Sequence, residues 1–419
     1  MMLTLLVILL LFLLFIVNRI VKPFLLSPIY LYILFAVLSI TVTVIYHYVF
    51  DPKISLFNLD YVSSNEFIAV IKLYLLALIA FLIGVIIFYD FSKKTTKISF
   101  NTSYSKQLFF KYTLPSNLNI LINVLFIVIV VLYLITYKKG FFIRQDYLPE
   151  TSRIFTILIK VLTFIEVILL GLLYHKNKII SAVLCVFLIL LSLSTGSRSV
   201  FLFFVLYVSL VFISGGNTLF NKLRFGLHLL FAFVFLAYIM TLRTLESHGL
   251  IPYLKSIFSS EQSIVDGIIF NIYYSFIYGV YVTIETIKSA TLDWHILWVN
   301  CNPLPGKLAG WYAYADTMRI NIYVPYSLHG RVFKTGVFFS IVFFFVIGLI
   351  FAFFETKVRY FLSQGNRILA FVIVILMMLH IVYGFEYNMR AAMRYIYYAF
   401  FVVLMIYLTR QVIKNLPKQ

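Results

Sequence analysis

Residues 336–354 read GVFFSIVFFFVIGLIFAFF. The run carries no charge, and its apolar residues do not alternate with polar ones. A membrane β-strand alternates apolar and polar residues, and a soluble surface helix keeps a polar face. A crossing helix needs about 20 predominantly apolar residues, so the stretch is predicted to span a membrane. The same signature recurs downstream at 368–384 and 395–409. Upstream it recurs at 2–17, 27–48, 67–89, 118–137, 154–174, 179–194, 200–214 and 225–241. The expectation is an all-α, polytopic integral membrane protein with about 11 transmembrane helices. Composition agrees. The chain is 63% hydrophobic and 12% charged, against about 25% charged in a soluble domain. That balance excludes a soluble enzyme, a disordered chain and a disulfide-stapled secreted module. Cys185 lies in an apolar run and Cys301 in a polar segment, which argues against a disulfide between them.

Loop charge predicts orientation. Arg19 and Lys22 follow the first run and no basic region precedes it, which predicts an anchor with its N-terminus outside. Lys93, Lys94, Lys97, Lys106 and Lys111 lie in 90–117. Lys176 and Lys178, Lys222 and Arg224, and Lys357, Arg359 and Arg367 occupy later loops, and Arg410, Lys414 and Lys418 end the chain. Eleven spans put all of these on the cytoplasmic side. The predicted organisation is a membrane bundle over 1–241, a large periplasmic loop over 242–335, and C-terminal membrane helices over 336–419. Within the loop, 264–287 reads as an amphipathic helix that lies on the membrane or dips into it.

The net charge of +19 would suggest nucleic acid in a soluble chain. Here it is expected to reflect cytoplasmic loops and anionic lipid, with no nucleic-acid partner. Several arginines nevertheless fall on the predicted outside, against the insertion bias. They are Arg144 and Arg153, Arg198 in the turn Thr195-Gly196-Ser197-Arg198-Ser199, Arg243, Arg319 and Arg331 in the long loop, and Arg390 and Arg394 before the last span. A guanidinium fork suits bidentate phosphate binding, so the set is read as an anionic-ligand site. Pairing of each with a carboxylate or a lipid headgroup is the alternative. Glu386, Arg390 and Arg394 share one helical face by spacing.

The sequence has no glycine-rich phosphate loop, CxxC, HExxH or paired DxD, and no metal or cofactor is expected. His329, in Tyr326-Ser327-Leu328-His329-Gly330-Arg331, is the candidate base, with Asp316 as the other. Glu166 sits mid-span, where a carboxylate is functional by default or is paired with a buried Arg or Lys160. His380 reads as an uncharged core histidine. Trp294, Trp298 and Trp311 cluster in the long loop, either as an interfacial belt or as a platform for sugar rings.

Three features together resemble the Wzy-type O-antigen polymerase family and its wider superfamily with O-antigen ligases. They are the Thr-Gly-Ser-Arg-Ser turn at 195–199, Asn302-Pro303-Leu304-Pro305-Gly306 within one large loop, and Ser327-Leu328-His329-Gly330 through Gly336 opening an apolar span. The resemblance covers nearly the whole chain and implies a GT-C-like architecture. It also implies a metal-independent glycosyltransferase in the bacterial inner membrane with an outward-facing site, and loop charge adds a cytoplasmic C-terminus. Its substrates would be undecaprenyl-pyrophosphate-linked oligosaccharides, as donor and acceptor, and its partner a separate chain-length regulator. Arg198 and His329 carry over from the matching motifs. Many relatives look like having an acidic residue where His329-Gly330-Arg331 stands here. A ligase, or a flippase for a lipid-linked oligosaccharide, is the alternative expectation.

Overall fold

The computed structural model describes residues 15, 27–50, 62–95, 117–146, 151–196, 199–216, 218–242, 245–258, 264–321, 324–386 and 388–415. Its helices are α1 (Pro28–Phe50), α2 (Ser64–Thr95), α3 (Asn117–Tyr137), α4 (Arg153–Leu173), α5 (Lys178–Ser194), α6 (Ser199–Ser214), α7 (Leu219–Thr241), α8 (Leu250–Phe258), α9 (Ile264–Ile272), α10 (Tyr278–Ser289), α11 (Trp294–Cys301), α12 (Leu328–Lys334), α13 (Val337–Ser363), α14 (Arg367–Glu386) and α15 (Met389–Asn415). A π-helical segment, Tyr273–Ile277, joins α9 to α10. No strand forms among the described residues.

Among the described residues, eight helices are long and apolar enough to cross a membrane. They are Pro28–Val49, Ser64–Ser92, Leu118–Phe141, Ile154–Leu173, Ile268–Ser289, Val337–Ser363, Arg367–Phe385 and Met389–Thr409, with Lys178–Ser194 and Val200–Ser214 as shorter apolar helices. The protein is thus an all-α, multi-pass membrane protein. The expected span at 2–17 falls outside the described residues. The helix expected at 264–287, on the membrane surface or dipping into it, lies within 264–289, of which Ile268–Ser289 is long and apolar enough to cross. A crossing there would reverse the sidedness of every later segment relative to every earlier one. Loop charge counted over eleven spans therefore does not fix the face on which 290–335 lies.

The chain divides into two compact units, 1–107 with 273–419, and 108–272. Of the segment expected as a loop over 242–335, residues 242–272 fall in the second unit and 273–335 in the first.

In the first unit, α2 and α13 approach so closely that only glycine fits at the crossing. A Cβ on Gly348 would stand 2.1 Å from the Phe81 carbonyl oxygen, and one on Gly84 2.2 Å from that of Phe345. Gly279 of α10 meets the Phe385 carbonyl of α14 in the same way, at 2.1 Å. Lipid gives helices no hydrophobic reason to associate, so close backbone approach through small residues supplies the packing. The π segment disturbs the regular ladder of helix carbonyls. The Phe276 carbonyl there accepts from the hydroxyls of Ser39 (2.5 Å) and Thr43 (3.1 Å) on α1.

At one end of this unit Arg359 and Glu355 of α13 form an ion pair at 2.7 Å, both side chains fully buried. Ser27 donates to the other carboxylate oxygen at 2.8 Å. The expected span at 336–354 stopped one residue short of this pair.

In the second unit, α4 buries Ile159, Thr163, Glu166, Val167 and Leu170, one face at helical spacing. The Ser181 hydroxyl of α5 donates to the Leu170 carbonyl at 2.7 Å and meets the Tyr207 hydroxyl of α6 at 2.9 Å. Tyr133 of α3 meets Ser192 of α5 at 2.9 Å.

Replacing Gly348 by alanine forces α2 and α13 apart. The variant should lose about 1–3 kcal/mol of stability, the usual cost of overpacking. Gly384→Ala is the control, because a Cβ there meets nothing within 4 Å. Thermal unfolding of the detergent-solubilised proteins should show a lower midpoint for Gly348→Ala alone.

Candidate functional site

Segment 290–334 of the first unit gathers most of the candidate residues. Asp293 caps α11, accepting from the amides of His295 (2.7 Å) and Ile296 (3.2 Å). Helical spacing then turns Ile296, Leu297, Val299 and Asn300 inward. Ala290, Ile296, Val299, Met318 and Tyr326 form a small core, with Trp311 and Tyr314 packed against it. Trp294 and Trp298 face outward, 57% and 63% exposed.

Arg390 holds this segment to the start of α15. Its guanidinium is buried and donates to the carbonyls of Val299, Asn302 and Leu304. Tyr397, on the same helix, donates to the Cys301 carbonyl. The carbonyls at the end of α11 lack helical partners, and a cation there is favourably placed. Arg390 was expected in an anion site. In the structure most of its hydrogen-bonding capacity goes to the backbone. The Glu386 side chain lies outside the described residues.

Arg394 stands one turn further along α15 and is exposed. It belongs with Tyr312, Tyr397 and Tyr398 to the group of side chains acting electrostatically on Arg390. Arg331 of α12 is buried and donates to the Thr291 carbonyl at 3.3 Å, and its guanidinium sits 4.6 Å from the Tyr326 ring centre. Burial lowers its pKa, opposed by Tyr326 and Asp293. Arg319 pairs with Asp316 at 3.4 Å, and the Asp316 side chain is 92% exposed. Asp316 is therefore a solvated partner of Arg319 and is not held toward any enclosed site.

His329 is placed by a string of hydroxyls. Tyr74 of α2 meets Thr283 of α10 at 2.9 Å, and Thr283 meets Ser327 at 2.9 Å. Ser327 caps α12 by accepting from the Gly330 amide at 2.9 Å. The imidazole that follows is enclosed by the rings of Tyr74, Phe333, Phe344 and Phe385. Its Nδ1–H donates to the Gly384 carbonyl at 3.0 Å. Burial pulls its pKa from 6.5 to about 3, partly offset by the Gly384 bond, and His380 adds to the fall. The expected surface base is thus a sealed, neutral histidine. Aromatic packing from three neighbouring helices, invisible in the local motif, is the reason.

The remaining candidates lie in the second unit or outside the described residues. Arg144 donates to the carbonyls of Gly140 (3.1 Å), Ser194 (2.6 Å) and Asp146 (3.0 Å), and its backbone pairs with His248 in both directions. It clasps the end of α5. The side chain of Arg153, and Arg198 and Arg243 altogether, lie outside the described residues. Glu166 is fully buried and neither carboxyl oxygen has a hydrogen-bond partner among the described residues. The expected pairing with Lys160 is absent, since Lys160 is exposed. His380 is buried, as expected of a core histidine, and donates to the Ala392 carbonyl at 3.0 Å.

Sequence reasoning missed the Ser27–Glu355–Arg359 group, although Glu-x-x-x-Arg spacing signals a helical ion pair. It also missed Tyr397 and the Tyr74–Thr283–Ser327 string, which carry no local signal. No family model, curated protein or solved structure matches the chain.

The low pKa of His329 ties stability to pH. The unfolded ring takes up a proton near pH 6.5 while the folded ring does not until about pH 3. Its contribution is therefore complete above pH 6.5 and is lost as pH falls toward 3, with a slope of up to about 1.4 kcal/mol per pH unit. Unfolding midpoints measured between these limits should fall more steeply in the native protein than in His329→Gln, which has no titrating ring.

Proposed function

We propose that the chain is a polymerase of the O-antigen type. It is a glycosyltransferase that joins undecaprenyl-pyrophosphate-linked oligosaccharide repeat units at the periplasmic face of the bacterial inner membrane, releasing undecaprenyl pyrophosphate. The observation that carries the reading is Arg394, an exposed guanidinium to which no carboxylate of the described residues is paired. It stands one turn from the arginine that anchors a segment rich in tryptophan and tyrosine. The motif resemblance at 302–306 and 327–336 falls in and beside that same segment.

The chemistry follows from charge. Transfer of the glycan breaks the bond between its anomeric carbon and the pyrophosphate oxygen, and negative charge grows on the departing diphosphate. A guanidinium directed at that charge lowers the barrier. In this reading Arg394 meets the diphosphate. Arg390 acts as a positioning residue by holding 299–304 in place. Exposed Trp298 and Tyr312 offer apolar faces to sugar rings. The acceptor hydroxyl loses its proton as the new bond forms, and the departing diphosphate takes it up. His329 does not take it, because the ring is sealed and burial disfavours its charged form.

The test uses a deletion strain complemented with variants, with surface polysaccharide run on a gel. The native gene should restore a ladder. Arg394→Ala should leave core capped with a single repeat, a loss of at least 10²-fold in chain extension if one charge-stabilising donor is removed. Arg394→Lys should recover part of it, since lysine keeps the charge without the fork. A full ladder from Arg394→Ala at native protein level would refute the assignment. Loss of every repeat in the deletion strain would point to ligation or flipping.

A further inference from the structure

Glu166 is the one buried carboxyl of the second unit whose oxygens both lack partners among the described residues. It lies in the middle of Ile154–Leu173, a helix long and apolar enough to cross the membrane. On its own helix its buried companions are Ile159, Thr163, Val167 and Leu170. An ionised carboxylate in such surroundings is an uncompensated charge, and a group so placed neutralises itself by keeping its proton.

The elements packed against α4 are α3, α5 and α6. Their buried titratable groups are Tyr133 and Tyr137 on α3, Cys185 on α5 and Tyr207 on α6, all uncharged at neutral pH. Among the described residues the cation of α4, Lys160, and that of α5, Lys178, are exposed. No fixed charge of the described residues therefore meets Glu166.

A series of hydroxyls lies nearby, with no hydrogen bond joining Glu166 to Thr163 or Thr163 to Tyr133 in this structure. Thr163 lies one turn from Glu166 on the same buried face, and its hydroxyl has no hydrogen-bond partner among the described residues. It stands beside the Tyr133 hydroxyl, which meets Ser192 at 2.9 Å. The Tyr133 ring stacks on Tyr137 with centres 5.7 Å apart. Tyr137 lies within electrostatic reach of Arg144 at the end of the unit, where Arg144 also holds the Ser194 carbonyl. The polar groups thus run from that end toward Glu166 through otherwise apolar packing.

We propose that Glu166 is a proton-binding site within the membrane, protonated at neutral pH and exchanging its proton through the hydroxyls of Thr163, Tyr133 and Ser192. A hydroxyl relays by accepting one proton and releasing another, so the exchange leaves the chain unchanged. The ligand is the proton, and the site rests on the second unit alone. It stands or falls independently of the glycan assignment.

Infrared spectroscopy of the reconstituted protein tests it, because a protonated carboxyl and a carboxylate absorb at separate frequencies. At about pH 7 the native protein should show a protonated-carboxyl band that Glu166→Gln lacks. In heavy water the band should shift as deuterium replaces the proton, and Tyr133→Phe, which removes only the hydroxyl, should slow that shift several-fold. A band unchanged by Glu166→Gln would overturn the proposal, and an unaltered shift in Tyr133→Phe would remove the hydroxyl route. Should Glu166→Gln fail to fold, native protein in membrane vesicles can be treated with dicyclohexylcarbodiimide, which adds to protonated carboxyls in apolar surroundings. Peptide mapping should place the adduct on Glu166, and its absence there would equally sink the proposal.

Discussion

A backbone carbonyl inside a membrane has no water to turn to, and the polar side chains of this protein are arranged around that constraint. Regular helices satisfy nearly all of their carbonyls internally, and side-chain donors reach several carbonyls at a break, at a helix end or as a second partner. The π segment presents the Phe276 carbonyl, and Ser39 and Thr43 take it. Ser181 takes that of Leu170, His329 that of Gly384, and His380 that of Ala392. Where helices end, guanidinium groups do the same work over several carbonyls at once. Arg144 serves Gly140, Asp146 and Ser194, and Arg390 serves Val299, Asn302 and Leu304.

This use of arginine changes how the cationic residues divide. An arginine in a polar segment of a membrane protein carries the same sequence signature whether it faces a ligand or a carbonyl. Both roles exploit five donors in a rigid fork. In this chain Arg144 and Arg390 are committed to backbone, Arg319 to Asp316, and Arg331 to Thr291 and the Tyr326 ring. Arg394 alone of the described candidates has an exposed guanidinium with no carboxylate of the described residues paired to it. On the proposed reading an anionic substrate would meet it there, on a helix whose preceding turn is already fixed by Arg390.

Glycine sets the other limit. The α2–α13 crossing brings backbones together at Gly84 and Gly348, and α10 reaches α14 at Gly279. These contacts place Tyr74, Phe344 and Phe385 close enough to wrap His329. The histidine is therefore sealed by the same close approach that holds the helices, and its chemistry follows from packing and not from the motif in which it occurs.

The sequence by itself determined the solvent and the secondary structure. Runs such as 118–137 and 336–354 are too long and too apolar to be anything but membrane helices, since hydrocarbon demands local hydrogen bonding and local composition reports it. It also flagged Glu166, because a charge in an apolar run is anomalous wherever the run packs. Only the tertiary structure decided that Ile268–Ser289 is another helix of crossing length, despite Asn271 and Glu285. Both polar residues are buried inside the protein, a form of shielding that hydropathy does not register. Only the tertiary structure decided which cations are spent, that Asp316 is solvated, and that His329 is enclosed. Each of these depends on residues from helices far apart in the chain, and side-chain identity at one position carries no record of what distant helices bring against it.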